Sequence, residues 1–307
     1  MARFLITGVG GPAGKSLARQ LMDQGHWVAG ADMQQVPRAA AHAVAVVSRA
    51  DSPGYLWELR GLVASHGIDF LIPTVSDELV LLSESREDIA PGVGVIVAAP
   101  GPVRTANDKY LTMTCLANAG VSVPPFGLPS DFDSVFEAMD LLGGPLVVKP
   151  RVSRGGRGVH LLERTGGRSA LAERFWLSVD DSWIVQRFAP GTEYAPVVHR
   201  SAETPRPEDT VVVLEKTELK DGRVGNAVSV RRVGGTEALD VEQLAHAAVE
   251  AMGLTGPVDL DIRRMQDGMP VVLEINARFG ANSAHAPELL EGILDLYVGR
   301  QLSGRSV

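Results

Sequence analysis

Two carboxylates, Asp261 and Glu274, the amide Asn276 and the guanidinium of Arg278 stand close together near the carboxyl-terminal end of this chain. Apolar runs on either side of Asp267-Gly268 predict a hairpin, because Asp and Gly tolerate the positive φ of a short turn. Closing that hairpin brings Asp261 near Glu274 and Asn276, and the last two, two residues apart on a strand, share one face. Hard oxygen donors beside an arginine suit Mg2+ that bridges nucleotide phosphates. The alternative is a solvated hairpin with ordinary surface charge.

Cations that could meet such phosphates lie upstream. Lys149 ends an apolar strand and is followed by Ser153-Arg154-Gly155-Gly156-Arg157-Gly158. A loop of this kind can cover phosphates with its N–H groups, since glycine leaves no Cβ in the way. The loop lacks the Gly-x-x-x-x-Gly-Lys-Ser/Thr order of a P-loop, and it could instead be a flexible basic hairpin. Lys109 falls in the first turn of a helix predicted from Thr105 to Ala119, where the helix dipole disfavours a cation. It is either a surface residue, which the segment by itself favours, or one held for a phosphate. In Gln186-Arg187-Phe188-Ala189-Pro190-Gly191-Thr192-Glu193 a strand runs into a hinge. Backbone groups just after Gln186 could pair with an adenine edge and Glu193 could take ribose hydroxyls; alone, the segment is a strand and a turn.

The elements that position these residues begin with a strand at Phe4–Thr7, the turn Gly8-Val-Gly10-Gly11-Pro-Ala-Gly14, a helix and a second strand reaching Asp32. This β–α–β opening suits a dinucleotide, with Asp32 on a ribose. It is similar to the start of short-chain dehydrogenases and epimerases. None of Tyr55, Tyr110, Tyr194 and Tyr297, however, is followed four residues on by the lysine of their Tyr-x-x-x-Lys pair. Further strands at Val44–Val47, Phe70–Thr74 and Gly94–Ala98 alternate with helices, which implies a parallel, doubly wound sheet. Strands at 210–215 and 224–230 predict a hairpin around Asp221-Gly222, after a polar loop at 206–209. The first hundred residues or so make one domain of the parallel, doubly wound kind.

The chain has 307 residues, a formal net charge of −8, 45% hydrophobic and 21% charged residues, enough for two or three lobes around one cleft. The acidic balance argues against a nucleic-acid surface. No apolar run approaches the roughly 20 residues of a membrane span. The single cysteine, Cys115, excludes an internal disulfide or a Cys-based metal cluster. Without a signal-peptide pattern, a cytoplasmic enzyme is expected.

Taken in order, these motifs resemble the ATP-grasp superfamily, and within it the ATP-binding half of the carbamoyl-phosphate synthetase large subunit and small carboxylate–amine ligases. The resemblance covers nearly the whole chain. It implies a fold of mixed α/β and α+β type: a Rossmann-like domain (1–105), a lid with the glycine loop (106–186) and an antiparallel-sheet domain with the metal hairpin (187–307). It implies ATP, held by Lys109, Lys149, Ser153, Arg154, Gly155, Gly156, Gln186, Arg187, Phe188, Ala189, Glu193 and Arg278. One or two Mg2+ ions, replaceable by Mn2+, would sit on Asp261, Glu274 and Asn276. Arg278, Lys149 and Gly280 would form the catalytic set. Relatives contact the acceptor in the loop after Arg278, which here holds Asn282, Ser283 and His285. Two basic residues, Arg154 and Arg157, make the glycine loop more basic than a plain phosphate lid requires.

The implied reaction joins a small-molecule carboxylate to an amine or thiol through an acyl phosphate, releasing ADP and phosphate. Lys216, Arg231 and Arg232, at strand ends, are candidates to clamp the carboxylate, or are simply solvated. A homodimer is compatible with this reading. Two other readings stay open: an NAD(P)-dependent oxidoreductase or epimerase built on the amino-terminal turn, and a protein that binds ATP without ligating.

Overall fold

Strand β1 (Arg3–Thr7) carries an unbroken apolar run because both its faces are covered. In this computed structural model, which describes residues 1–164, 168–201, 209–219 and 227–304, β1 leads into α1 (Pro12–Asp23), β2 (Trp27–Asp32), β3 (Ala43–Val46), α2 (Tyr55–His66), β4 (Phe70–Ile72), α3 (Leu79–Glu84), α4 (Arg86–Ile89) and β5 (Gly94–Val95). The five strands pair in parallel in the order β3-β2-β1-β4-β5. Strand β4 is shorter than expected. Pro73 has no N–H with which to extend the ladder.

The single helix expected over Thr105–Ala119 is two, α5 (Pro100–Asn107) and α6 (Lys109–Asn118). Asp108 breaks the run with extended backbone (φ −112, ψ 113), and its carboxylate caps α6 at the N–H groups of Tyr110 and Leu111. Arg151 grips the same carboxylate at 2.7 Å and so ties this break to the next sheet.

That sheet holds β6 (Phe126–Gly127), β7 (Leu146–Pro150), β8 (His160–Leu162) and β9 (Trp183–Arg187), antiparallel in the order β6-β9-β7-β8. Helices α7 (Val135–Leu142) and α8 (Arg168–Trp176) cover one small core with Leu146, Val148 and Val185. Helix α8 carries no clear sequence signal: Leu171 is exposed, which blurs its helical period.

A third sheet is antiparallel and comprises β10 (Glu193–Tyr194), β11 (Val197–Arg200), β12 (Thr210–Leu219), β13 (Ala227–Val233), β14 (Gly256–Arg264) and β15 (Pro270–Asn276), with helices α9 (Leu239–Ala251) and α10 (Glu288–Gly304). Both β10 and β11 pair with β12 and with β14, so they are two pieces of one strand interrupted at Ala195-Pro196. The expected turn at Asp221-Gly222 and residues 206–208 lie outside the described residues. Leu290 and Ile293 of α10 share an apolar cluster with Ile6, Leu17 and Phe70, which joins this sheet to the parallel one. Among the described residues no helix is long and apolar enough to cross a membrane.

Candidate active site

The hairpin of β14 and β15 sets Asp261 opposite Glu274 and Asp259 opposite Asn276. Period-2 alternation turns Leu260 and Ile262 into the core and leaves the acids on the other face. The register slips between Asp261 and Ile262, which leaves Leu273 without a cross-strand partner. Its carbonyl accepts a hydrogen bond from Lys149 Nζ at 3.1 Å.

Three lysines converge on this face. Lys149 reaches it from β7, and burial pushes its ammonium down to about 8 against the opposing pull of Glu274. Lys109 is 4% exposed, which corrects its local reading as a surface residue. The break at Asp108 turns the start of α6 inward, where Lys109 N–H donates to Arg151 O at 3.0 Å. Its Nζ donates to Ser153 O at 2.8 Å and lies 3.7 Å from Glu274 Oε1. Lys216, on β12, donates to Glu193 Oε1 and to Asp261 Oδ1, each at 2.6 Å. Burial works against its charge, but Asp261 and Glu193 outweigh it and hold the ammonium above the ordinary lysine range.

The hinge lies beside them. Gln186 is 2% exposed and its Nε2 has no partner among the described residues. The next two amides are already used: Arg187 N–H donates to Pro125 O and Phe188 N–H to Pro145 O, both at 2.8 Å. Ala189 is therefore the first residue past Gln186 whose N–H carries no hydrogen bond among the described residues. Val147, Val159, Phe188 and Leu273 give this pocket apolar walls, with Lys149, Gln186 and Glu193 at its polar end. Arg263, which the sequence reading missed, lies 3.4 Å from Glu193 Oε2 and 5.0 Å over the Phe188 ring. Asp259 was missed as well. Both continue the alternation of Asp261 by two residues, and that was the available signal.

Arg278 donates from Nε to Ser76 Oγ at 3.2 Å and from Nη1 to Phe279 O at 2.9 Å, and lies 3.6 Å from Asp259 Oδ2. Burial pushes the Asp259 carboxyl up to about 7 against the pull of Arg278. Arg278 and Phe279 wall a cavity of about 760 Å³, closed on other sides by the amino-terminal glycine turn and by Arg154, Gly155 and Arg157. Gly155 and Gly156 take positive φ (62 and 70), which the loop's course requires. Arg154 forms an ion pair with Asp77 across that cavity.

The three expected carboxylate clamps do not come together. Lys216 lies in the cleft, Arg231 pairs with Glu215 and Glu237, and Arg232 reaches Glu288 on α10 at 2.7 Å. Adjacent residues on β13 face opposite ways, so Arg231 and Arg232 cannot share a ligand. Of the loop after Arg278, Ala281 lines the large cavity; Asn282, Ser283 and His285 do not. Ser283 is buried and its hydroxyl donates to Gly280 O at 2.5 Å. A side chain at residue 280 would displace the Asp259 carboxylate, since a Cβ there would stand 2.1 Å from Asp259 Oδ1.

In the amino-terminal turn the acid at the end of β2 is engaged by its own backbone. Asp32 accepts from Gly10 N–H at 2.9 Å and Gln34 N–H at 3.1 Å. Gly14 serves packing: a Cβ there would lie 2.3 Å from Gly8 O. For a divalent cation, no group of three or more His, Cys, Asp or Glu gathers among the described residues. Asp261 and Glu274, paired across the hairpin with Asn276 beside them, form an all-oxygen set of two charges. Such a set fits Mg2+, which binds through one or two carboxylates and keeps several waters.

Residues 106–282, more than half of the chain, match the ATP-grasp domain family. A curated relative, the formate-dependent phosphoribosylglycinamide formyltransferase of Hahella chejuensis, is 29% identical over 168 residues, 54% of this chain and 40% of that protein. The chain thus spans less than half of that relative's length. Among solved structures, L-amino acid ligase from Bacillus licheniformis superposes with a TM-score of 0.67 at 18% identity, over 93% of this chain and 69% of that one. N5-carboxyaminoimidazole synthetase from Staphylococcus aureus, complexed with ADP, does so with a TM-score of 0.71 at 16% identity, over 94% and 73%. At these identities the two structures bear on the fold, and with the match over residues 106–282 the chain belongs to the ATP-grasp family.

Proposed function

We propose that this chain is an ATP-dependent ligase that joins a small, amino-acid-like carboxylate to an amine or thiol. One observation carries the reading: three buried ammonium groups gather at the cross-strand carboxylates of Asp261 and Glu274, Lys216 at 2.6 Å from Asp261, Lys109 at 3.7 Å from Glu274, and Lys149 on the carbonyl of the adjacent Leu273. Burying that many charges is costly unless each is paired, and a site of this kind suits a ligand that brings charge of its own. The names of two relatives agree with it, one an L-amino acid ligase and one complexed with ADP. The three sheets support a division into an amino-terminal domain (1–105), a lid (106–186) and a carboxyl-terminal domain (187–307).

In this reading the adenine lies against Phe188 and the backbone of Ala189, with Glu193 at the ribose. Lys149 and Lys109 hold the phosphates, and Ser153 to Gly156 cover them. Asp261, Glu274 and Asn276 would hold Mg2+, which when bound would supply charge neutralisation at the phosphates. A carboxylate oxygen of the substrate attacks the γ-phosphorus, the β–γ bridge breaks, and ADP leaves with the bridging oxygen. The nucleophile then attacks the acyl carbon, phosphate departs, and the nucleophile gives up a proton. Both steps need alignment and charge compensation, which Arg278 and Lys149 supply. Loop closure keeps water from the acyl phosphate. The dinucleotide reading has less support, because Asp32 already caps its own turn.

Incubation with ATP, Mg2+, hydroxylamine and a panel of carboxylic acids tests the reading. Hydroxamate together with ADP from at least one acid is expected. Absence of both with every acid, from protein that binds ATP, would leave a nucleotide-binding protein that does not ligate.

A further inference from the structure

We infer that Asp259 is a positioning residue for phosphoryl transfer: its carboxylate sets the guanidinium of Arg278, and residue 280 is glycine to make room for that carboxylate. The inference rests on the ligase reading and adds to it a residue outside the nucleotide and metal sets. Asp259 stands opposite Asn276 at the end of the hairpin. Just past Asn276 the chain turns tightly, with Arg278 N–H donating to Asn276 O at 2.8 Å. The turn carries the Arg278 side chain back to 3.6 Å from Asp259 Oδ2.

The guanidinium is held from several directions. Nε is fixed by Ser76 Oγ on the amino-terminal domain, and Nη1 by Phe279 O, with Asp259 beside it. Nη2 has no partner among the described residues, while Arg278 itself lines the cavity of about 760 Å³. Held at Nε and Nη1, the guanidinium keeps Nη2 free to donate to an anion in the cavity. Gly280 supplies the independent observation. A Cβ on it would come 2.1 Å from Oδ1 and 2.3 Å from Cγ of Asp259, so any side chain there displaces the carboxylate. Asp259 therefore touches neither phosphate nor metal in this account; it acts through Arg278.

Asp259→Asn keeps the shape and removes the charge, and Gly280→Ala keeps both partners but moves the carboxylate. Each variant is compared with the parent in hydroxamate formation and in the nitrogen–proton resonance of Arg278 Nε, assigned with Arg278→Lys. For both variants kcat is expected to fall about 10²-fold, the loss typical of a misplaced group. KM for ATP should change far less than kcat, because Lys109, Lys149 and Glu193 still hold the nucleotide and Arg278 is misplaced and not removed. The Arg278 resonance should lose its protection from exchange in both. A folded Asp259→Asn protein with an unchanged Arg278 resonance overturns the inference, as does a freed Arg278 with parental kcat. Loss of ATP affinity in step with kcat also overturns it, since the residue would then act on the nucleotide. The resonance needs no substrate. A parent that forms no ADP with any acid therefore fails the ligase reading, and the catalytic role of Asp259 with it, whatever the resonance shows about the contact.

Discussion

Lys216 Nζ lies 2.6 Å from Asp261 Oδ1, although the two residues are 45 apart in sequence and sit on strands that are not neighbours in the sheet. The same ammonium is 2.6 Å from Glu193 Oε1, so one buried cation joins the acid proposed for the ribose to an acid proposed for the metal. Lys216→Met leaves both carboxylates without it. Removing one member of a buried ionic set costs about 3 kcal/mol, because the charge left behind stays desolvated. The midpoint of thermal unfolding should fall accordingly, and an unchanged midpoint would show that Lys216 is not part of the buried network.

Glu274 faces Asp261 across the hairpin and lies 3.7 Å from Lys109 Nζ. Glu274→Ala should lower ADP formation by at least about 10²-fold with the near-ultraviolet circular dichroism of the parent retained, since charge compensation dominates phosphoryl transfer. Persistent turnover in a well-folded Glu274→Ala protein would remove Glu274 from the metal site.

Lys149 couples activity and stability to pH in opposite directions. Burial pushes its ammonium down to about 8 from 10.5. As pH rises through about 8 the folded protein loses this charge, so kcat/KM for ATP should decline there. Between about 8 and 10.5 the unfolded chain holds the proton that the folded chain has released, and the Lys149 contribution to stability rises with pH. Lys149→Arg, which stays charged, should flatten the decline in kcat/KM. A decline identical to the parent's would assign it to another group.

Gly14 tests what the amino-terminal glycines are for. With its Cβ directed 2.3 Å from Gly8 O, Gly14→Ala should destabilise the protein by about 1–3 kcal/mol, as overpacking does. ATP with Mg2+ should raise the unfolding midpoint of the parent, whereas NADH and NADPH should leave it unchanged. A midpoint raised by either dinucleotide would restore the cofactor reading of this turn.

The hairpin that bears Asp261, Glu274 and Asn276 was legible in the sequence because its determinants are local, strand alternation and an Asp-Gly turn, although the register slip after Asp261 was not. The parallel β–α opening was legible for the same reason. Lys109 was not, since its burial depends on a helix break at Asp108 that Arg151, from another sheet, holds in place. Lys216 was expected with Arg231 and Arg232, because the three fall at the ends of two strands of one predicted hairpin; the tertiary structure instead sends it to Glu193 and Asp261. Asp259 and Gly280 are 21 positions apart, and only their contact explains why the second has no side chain. The sequence by itself determined the parallel β–α opening and the metal-site hairpin, through periodicity and turn chemistry, but not helix α8 or the helix break at Asp108. Only the tertiary structure decided which buried charges meet, because pairing between distant strands and desolvation are set by the packing of the whole chain.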